Sequence, residues 1–479
     1  MQSINNKEGK LFFINGPGGT GKTHLYKTIL YGVKARNGLP LPTASSGIAA
    51  LLLPRGRTAH SRFNIPREIF KDSLCGISKQ DQLCKLIQLA DVIIWDEAPM
   101  DHKHCFEAVH HTLQDLMDGQ ISRAKELPFG GKTVVMGGDF RQCLPVIKKA
   151  TRSEVVNASI CNSFLWMNCQ ILNLRKNMRL LSNQLTNTQK AKVEQFSKWI
   201  LSIGDGTAPG VQCEEGEEGK WIEIPEDLLI PFGENAVSHL IDVIYPEFEN
   251  QHDNHTYLSE RSIVTPKNSF VTYINDLLLD RIPESEYIYL SYDSVERLAG
   301  KSNHQPLNYA EEYLNSLEFA GLPSHELRLK VGAPIMLMRN LKQNAGLCNG
   351  TRLIITRLAT KVIEAVILTG SHVGNLVNIP RISLKPENVT LPFVLKRRQF
   401  PVRVCYAMTI NKSQGQTLKK VGIYLPQPVF THGQLYVALS RVQERSGLKI
   451  VIDNSNVPQS PGWNYTKNIV YKEIFHSMG

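Results

Sequence analysis

Eight consecutive residues have the types and spacing for phosphate chemistry: Gly16, Pro17, Gly18, Gly19, Thr20, Gly21, Lys22 and Thr23. They fit the pattern G-x-x-x-x-G-K-[ST] at every fixed position. The glycines let backbone N–H groups turn inward around phosphate oxygens. A helix opening at Lys22 would add a dipole that favours an anion. Lys22 would reach the β- and γ-phosphates of a nucleotide, and Thr23 would hold Mg²⁺. A second stretch, ADVIIWDEAPM, is an apolar run ending in Asp96 and Glu97. After a phosphate loop such a pair divides the work. Asp96 would bind Mg²⁺ through its water shell, and Glu97 would activate the attacking water. A third stretch, KTVVMGGDFRQCLPV, places Gly137, Gly138, Asp139 and Gln142 after its apolar run. A polar residue there can sense the γ-phosphate, and Gln142 is the candidate.

These side chains need a frame. Residues 11–14, 92–95 and 133–136 read as short buried strands, and residues 22–32 as a helix. Their order predicts a nucleotide-binding α/β domain with a mostly parallel sheet through residue 150.

Further candidates lie along the chain. TASSGIAA (43–50), followed by Thr58, His60 and Ser61, offers small residues and hydroxyls that allow close approach to a backbone or to nucleic-acid phosphates. A tightly packed loop explains it equally well. Phe63 is a possible base-stacking residue, though a core phenylalanine is the commoner use. LNLRKNMRL (172–180) opens a second half with Arg175, Lys176 and Arg179. Residues 213–227 are acidic and read as a surface loop. Residues 263–264 lead as a strand into a helix, residues 280–328 are polar and irregular by pattern, and residues 331–339 are strand-like. Asn349-Gly350 is a hairpin signal, and short apolar strands to Val404 predict a small barrel-type β-subdomain. Lys396, Arg397, Arg398 and Arg403 give it a basic face for a phosphate chain, or a merely solvated one. YAMTINKSQGQTL (406–418) supplies Thr409, Asn411, Lys412, Ser413 and Gln414 before Gly415. YVALSRV (436–442) ends an apolar helical pattern in Ser440 and Arg441, and that arginine could stabilise charge on a γ-phosphate.

The totals set bounds. The formal net charge is +10 and the pI about 9.0, which favours a polyanionic partner, nucleic acid before anionic membrane. No apolar run approaches the roughly 20 residues of a membrane span. The start, MQSINNKEGK, lacks a signal-peptide pattern, so an intracellular protein is expected. Nine cysteines without a C-x-x-C pair fit free thiols in a reducing compartment. His102, His104, Cys105, His110 and His111 could suggest zinc, but they read better as a polar helix face.

GPGGTGKT, SSGIAA, TAHS, IIWDEA, GGDFRQCLPV, NMR, GAPIMLMRN, INKSQGQTL and YVALSRV span nearly the whole chain in this order. As a set they resemble the Pif family of superfamily one DNA helicases, and most closely the helicase region of Helitron transposon proteins. The resemblance implies an α/β fold of two RecA-like P-loop NTPase domains with parallel sheets, ATP between them, and an SH3-like β insertion in the second. The boundaries implied are 1–170, 171–330, 331–404 for the insertion, and 405–479. It further implies ATP with Mg²⁺, 5′-to-3′ movement on single-stranded DNA, and action on forked or structured DNA, without a membrane. The pathways open to such a chain are repair, recombination, telomere maintenance and transposition. The nucleus is the expected compartment, the mitochondrion the alternative.

By position in these motifs, Lys22, Asp96, Glu97, Gln142, Arg179 and Arg441 correspond to catalytic residues, and Thr23 with Asp96 to the metal site. Gly16 to Thr23 and Gly415 correspond to the nucleotide contacts. Ser46, Gly47, Thr58, His60, Thr409, Asn411, Lys412, Ser413 and Gln414 correspond to the DNA-facing set. Family members also carry an upstream helix whose glutamine recognises adenine. Only 15 residues precede Gly16 here, and Gln2 lies too close to the loop for that role, so the chain is expected to be a fragment. Two other readings stay open: a DNA-binding remnant without ATP turnover, and a P-loop enzyme acting on a small molecule.

Overall fold

The computed structural model describes residues 1–181, 186–296, 309–319, 321–386, 391–455, 457 and 460–476, except the side chains of Arg179 and Leu181. The chain divides into two compact units, one of Met1–Ala236 with Ile410–Gly479, the other of Val237–Thr409.

The first unit is built on six parallel strands: β1 (Leu11–Asn15), β2 (Pro40–Ala44), β3 (Arg57–Thr58), β4 (Val92–Asp96), β5 (Thr133–Gly138) and β6 (Cys169–Asn173). Their order is β3-β2-β4-β5-β1-β6. The central strands β2, β4 and β5 are buried along their whole length. That is why residues 92–95 and 133–136 read as largely apolar runs rather than alternating ones. Pro40 and Pro42 sit in β2 ahead of the two residues that β3 pairs with, Thr43 and Ala44. No ladder bond to β3 is therefore lost at the prolines. Trp95 anchors the core between Phe63 and Phe106, with ring centroids at 5.8 Å and 4.3 Å. Its indole N–H donates to Asp101 Oδ2 at 3.0 Å. Phe63 is fully buried, so it is a core residue and no stacking platform.

Parallel register decides which loops share an edge. Ala44 is level with Asp96, Trp95 with Met136, and Gly138 with Asn15. The residues following β2, β4, β5 and β1 thus leave the sheet at its carboxyl end together. Helix α1 (Lys22–Lys34) follows β1 and runs two residues beyond its expected end. Helix α2 (Lys103–Met117) follows β4, and α3 (Asn187–Gly204) follows β6. The unit also contains parallel strands Leu229–Ile230, Lys420–Leu425 and Leu448–Ile452, and helix α4 (Gln434–Ser440). The acidic stretch expected to be a loop contains the strand Lys220–Glu223. Trp221 and Ile222 are buried in it, two apolar side chains that outweigh the flanking charge.

In the second unit the strand Arg261–Thr265 pairs parallel with Ala407–Thr409, and the helix Asn268–Asp280 follows it. A five-stranded antiparallel sheet is formed by Leu376–Pro380, Val362–Ile367, Arg352–Leu358, Pro334–Leu337 and Val402–Val404, in that order. This is the expected β-subdomain, but its hairpin signal works differently. Pro334–Leu337 and Arg352–Leu358 are joined by a long connection, and Gly350 (φ +92°) closes it by donating its N–H to Leu337 O at 2.8 Å. Residues 280–328 also contain more structure than their polarity suggests, with strands at Tyr287–Leu290, Tyr292–Glu296 and Glu326–Leu329. These strands bury only alternate residues, so their sequence looks mixed.

The basic run 396–398 splits for the same reason. In strand Val394–Gln399, Lys396 and Arg398 face solvent, whereas Arg397 is fully buried. Its guanidinium donates to Asp293 Oδ2 at 2.7 Å and to the carbonyls of Pro323 and Leu314 at 3.1 Å each. Arg397 therefore offers nothing to a phosphate chain. Arg403 is half-buried and donates to Asn268 Oδ1 at 3.1 Å. Among the described residues no helix is long and apolar enough to cross a membrane. Removing one partner of a buried ion pair strands the other charge, so Asp293→Ala should cost about 3–5 kcal/mol in denaturant unfolding. Arg398→Ala, on the solvent side of the same strand, should stay within about 0.5 kcal/mol.

Candidate active site

The phosphate loop takes its shape from glycine backbone. Gly19 (φ +84°) and Gly21 (φ +89°) lie in the left-handed region, and Gly21 is the N-cap of α1. Gly18 has open space where a Cβ would be. Thr20 Oγ1 turns back to donate to Pro17 O at 2.8 Å, and Lys22 Nζ donates to the carbonyls of Gly16 and Pro17. Thr23 is half-buried in the first turn of α1. The loop is tied on both sides: Gly16 N–H donates to Gly138 O at 3.2 Å, and Met178 N–H donates to Gly19 O at 3.0 Å.

Asp96 and Glu97 close β4, 4% and 9% exposed. Burial raises both carboxyl pKa values, and the charge of Lys22 opposes the rise at each. At Glu97 the charge of Arg441 opposes it as well. Glu97 is held in the left-handed region (φ +53°), and its N–H donates to Asp96 Oδ1 at 2.9 Å. Strain of this kind persists only where surrounding structure imposes it. The imposition here is close packing. A Cβ at Gly138 would come within 2.4 Å of Pro99 Cδ, and one at Gly137 within 2.1 Å of the Tyr26 hydroxyl. Tyr26 is fully buried, and burial with the charges of Asp96 and Glu97 drives its pKa well up.

Gln142 follows β5 in a tight turn, its N–H donating to Asp139 O at 3.0 Å. Its side chain is 4% exposed, and Oε1 is buried without a hydrogen-bond partner. Arg441 caps the end of α4, 5% exposed. It donates to Val437 O at 2.9 Å, Gln416 O at 3.2 Å, Ser413 O at 3.3 Å and Ser440 Oγ at 2.7 Å. Burial draws its pKa down, and the charge of Glu97 does most to hold it up. The first unit therefore gathers Lys22, Asp96, Glu97 and Arg441 into one electrostatically coupled group.

Residues 1–214 match the model of the PIF1-like helicases, and residues 312–358 that of the 2B domain of DNA helicase Pif1. Over these two stretches the chain is similar to the Pif-family helicases. It is 27% identical over 488 residues to the ATP-dependent DNA helicase PIF1 of Danio rerio, covering 97% of this chain and 62% of that protein. It is 26% identical over 455 residues to the protein of the same name from Xenopus laevis, covering 92% and 59%. The chain thus spans less than two thirds of the length of these relatives. Among solved structures it is similar to the Pif1 helicase from Bacteroides in complex with ADP-AlF3 and ssDNA. The TM-score is 0.64 at 22% identity, over 97% of this chain and 98% of that one. That likeness is one of fold, and it bears out two RecA-like domains.

The remaining motif residues lie in varied surroundings. Ser46 and Thr58 are helix N-caps, accepting from the N–H groups of Ala49 at 3.2 Å and Ser61 at 3.4 Å. Gly47 opens the short helix that Ser46 caps, and His60 is half-buried. Gly415 (φ +77°) packs beside that helix, where a Cβ would meet Ile48 Cγ2 at 3.4 Å. Ser413 is fully buried and donates to Ile410 O at 2.6 Å. Gln414 is 3% exposed, Lys412 is exposed, and Asn411 Oδ1 accepts from Gln434 Nε2 at 3.4 Å. Thr409 belongs to the second unit, level with Thr265. Arg179 lies in the turn Met178–Leu181, and its side chain is outside those described. Gln2 is exposed in a single helical turn, Gln2–Asn5.

The histidines of α2 have structural duties. His102 Nδ1 accepts the His104 N–H at 3.1 Å, His104 pairs with Glu107 at 2.6 Å, and His110 Nδ1 accepts the Phe129 N–H at 2.9 Å. Among the described residues no group of three or more His, Cys, Asp or Glu side chains is disposed to hold a metal ion.

Sequence reading named Asp139 without a role and gave none to Tyr436 or His432. His432 is fully buried, and its Nδ1 accepts the Tyr471 N–H at 2.8 Å. Nε2 must then carry the proton, and it donates to Phe140 O at 2.8 Å. Burial pushes its pKa down to about 4. Between the ordinary value and about 4 the unfolded chain binds the proton and the folded chain does not. The contribution of neutral His432 is therefore complete above the ordinary histidine range and is lost as pH falls. Denaturant unfolding from pH 7 to pH 4.5 should show stability dropping by up to about 1.4 kcal/mol per pH unit for this one proton. His432→Gln should be less stable at pH 7 and show a shallower slope.

Proposed function

We propose that this chain is an ATP-dependent DNA helicase that moves 5′-to-3′ on single-stranded DNA and opens forked duplex. The observation that carries the reading is the buried pair Asp96–Glu97, coupled to Lys22 of the phosphate loop and to Arg441 at the end of α4. An acidic pair with one cation on the loop and one beyond it is what hydrolysis of a phosphoanhydride by water requires. The similarity to the PIF1-like helicases, and the ADP-AlF3 and ssDNA bound by the similar Bacteroides protein, support the same assignment.

In this reading the amides of residues 16–21 and Lys22 hold the terminal phosphates of ATP. Glu97 accepts a proton from the attacking water, for which its raised pKa suits it. Arg441 stabilises charge developing on the γ-phosphate. Thr23 and Asp96 offer hard oxygen donors of the kind Mg²⁺ takes, and the ion would neutralise phosphate charge there. Gln142, with its unpaired carbonyl oxygen, orients the water or reports the γ-phosphate. The motif set spanning nearly the whole chain supports a closer kinship with the helicase region of Helitron transposon proteins.

The test is ATP hydrolysis by the purified chain with and without single-stranded DNA at defined salt. We expect strong stimulation, and Lys22→Ala should lower the stimulated rate by about a hundredfold or more without shifting thermal unfolding. Full residual turnover in that variant would overturn the assignment.

A further inference from the structure

We propose that Asp139 and Tyr436 form a positioning pair that locks the γ-phosphate-sensing turn of Gln142 and the helix bearing Arg441 into one frame. The inference rests on the helicase reading and assigns to two residues outside the reacting set the task of aligning it.

Asp139 is completely buried. A buried carboxylate persists only where it is paired and hydrogen-bonded. Two of its contacts are local: Arg141 N–H at 3.2 Å and Arg141 Nη1 at 3.3 Å, both to Oδ1. The third comes from 297 residues away, where the Tyr436 hydroxyl donates to Oδ2 at 2.6 Å. This is the shortest contact Asp139 makes, and a charge-assisted one.

Each end of the link lies one turn from a reacting group. Gln142 closes the turn that Asp139 begins. Arg441 hangs its Nε on the carbonyl of Val437, the neighbour of Tyr436. A second strap runs alongside, His432 Nε2 to Phe140 O. The segments approach so closely that a Cβ at Gly433 would fall 2.3 Å from Arg141 O. The tyrosine ring packs directly on Gly204, where a Cβ would come within 2.7 Å of its Cδ2. Arg141 is engaged by Asp139 and by Asp205 at 2.7 Å, so it is not itself the arginine left to meet a phosphate. Charge on Arg441 is felt by Glu97, so a shift of α4 against the turn would displace a cation from the catalytic carboxylate.

The experiment compares the full chain with Tyr436→Phe, Asp139→Asn and the double variant. It measures kcat and KM for ATP with and without single-stranded DNA, and thermal unfolding. Tyr436→Phe keeps the ring and loses only the donor. We expect kcat to fall about tenfold with KM for ATP within about twofold, and the unfolding temperature to fall by only a few degrees, since the buried carboxylate keeps its Arg141 contacts. The double variant should be no slower than the slower single one, because the two residues act through each other. An unchanged kcat in folded Tyr436→Phe, or losses that multiply in the double variant, would overturn the pair. So would a lowered unfolding temperature with kcat intact, which is a structural role alone. A wild type that hydrolyses ATP without responding to DNA sinks the helicase reading, and the pair is then judged by the same ratios without DNA. A wild type with no turnover overturns both.

Discussion

Burying two adjacent carboxylates at the end of a parallel strand is the costliest arrangement in the first unit, and much of that unit answers it. Asp96 and Glu97 lose nearly all contact with water, so their charge has to be met by cations and donors placed in advance. Lys22 meets it from the phosphate loop and Arg441 from α4. Arg441 is itself buried and would be unstable there without the carboxylate and the four acceptors that surround it. Carboxylates and cations thus depend on each other, and neither set can be removed without leaving the other uncompensated. The strained backbone at Glu97 is held by the close packing around it, and its N–H is fixed on Asp96.

Parallel register supplies the geometry. Because β2, β4, β5 and β1 run in step, their carboxyl ends deliver four loops to one edge without any long-range search. The fit at that edge leaves no spare volume. Gly137 and Gly138 occupy positions where a methyl group would strike the Tyr26 hydroxyl or Pro99. Glycine at the end of a strand is ordinarily a weakness. Here it is what allows β5 to pass between α1 and the turn that follows Glu97.

The sequence was legible where chemistry is written in consecutive residues. The phosphate loop, the acidic pair and the turn after β5 each sit within a few positions of one another, on strands apolar enough to be recognised. It was not legible where partners are far apart. Nothing in the spacing of Asp139 and Tyr436 connects them, although the hydroxyl lies 2.6 Å from the carboxylate. Nor could local polarity find one-sided strands such as Tyr292–Glu296, where Asp293 is buried between exposed neighbours. Ser46, Thr58 and Ser413 show the opposite limit. Ser46 and Thr58 accept backbone N–H groups and Ser413 donates to a carbonyl, contacts that residue type alone does not reveal.

Net charge therefore needs to be read residue by residue. A formal +10 counts Arg62, Arg352, Arg397 and Arg441 alike, and all four are buried. Arg352 donates to the carbonyls of Leu258 and Arg261, and Arg397 is neutralised by Asp293. Such guanidiniums hold backbone carbonyls together, a task for which five donors on a rigid plane suit them. Arg62, Arg352 and Arg397 thus present no charge to a surface polyanion. A nucleic acid would meet the exposed remainder, of which Lys148, Lys149, Lys396, Arg398 and Lys412 are examples. The basic balance supports a nucleic-acid partner through those side chains, while the buried arginines explain how strands and turns with few apolar residues still pack.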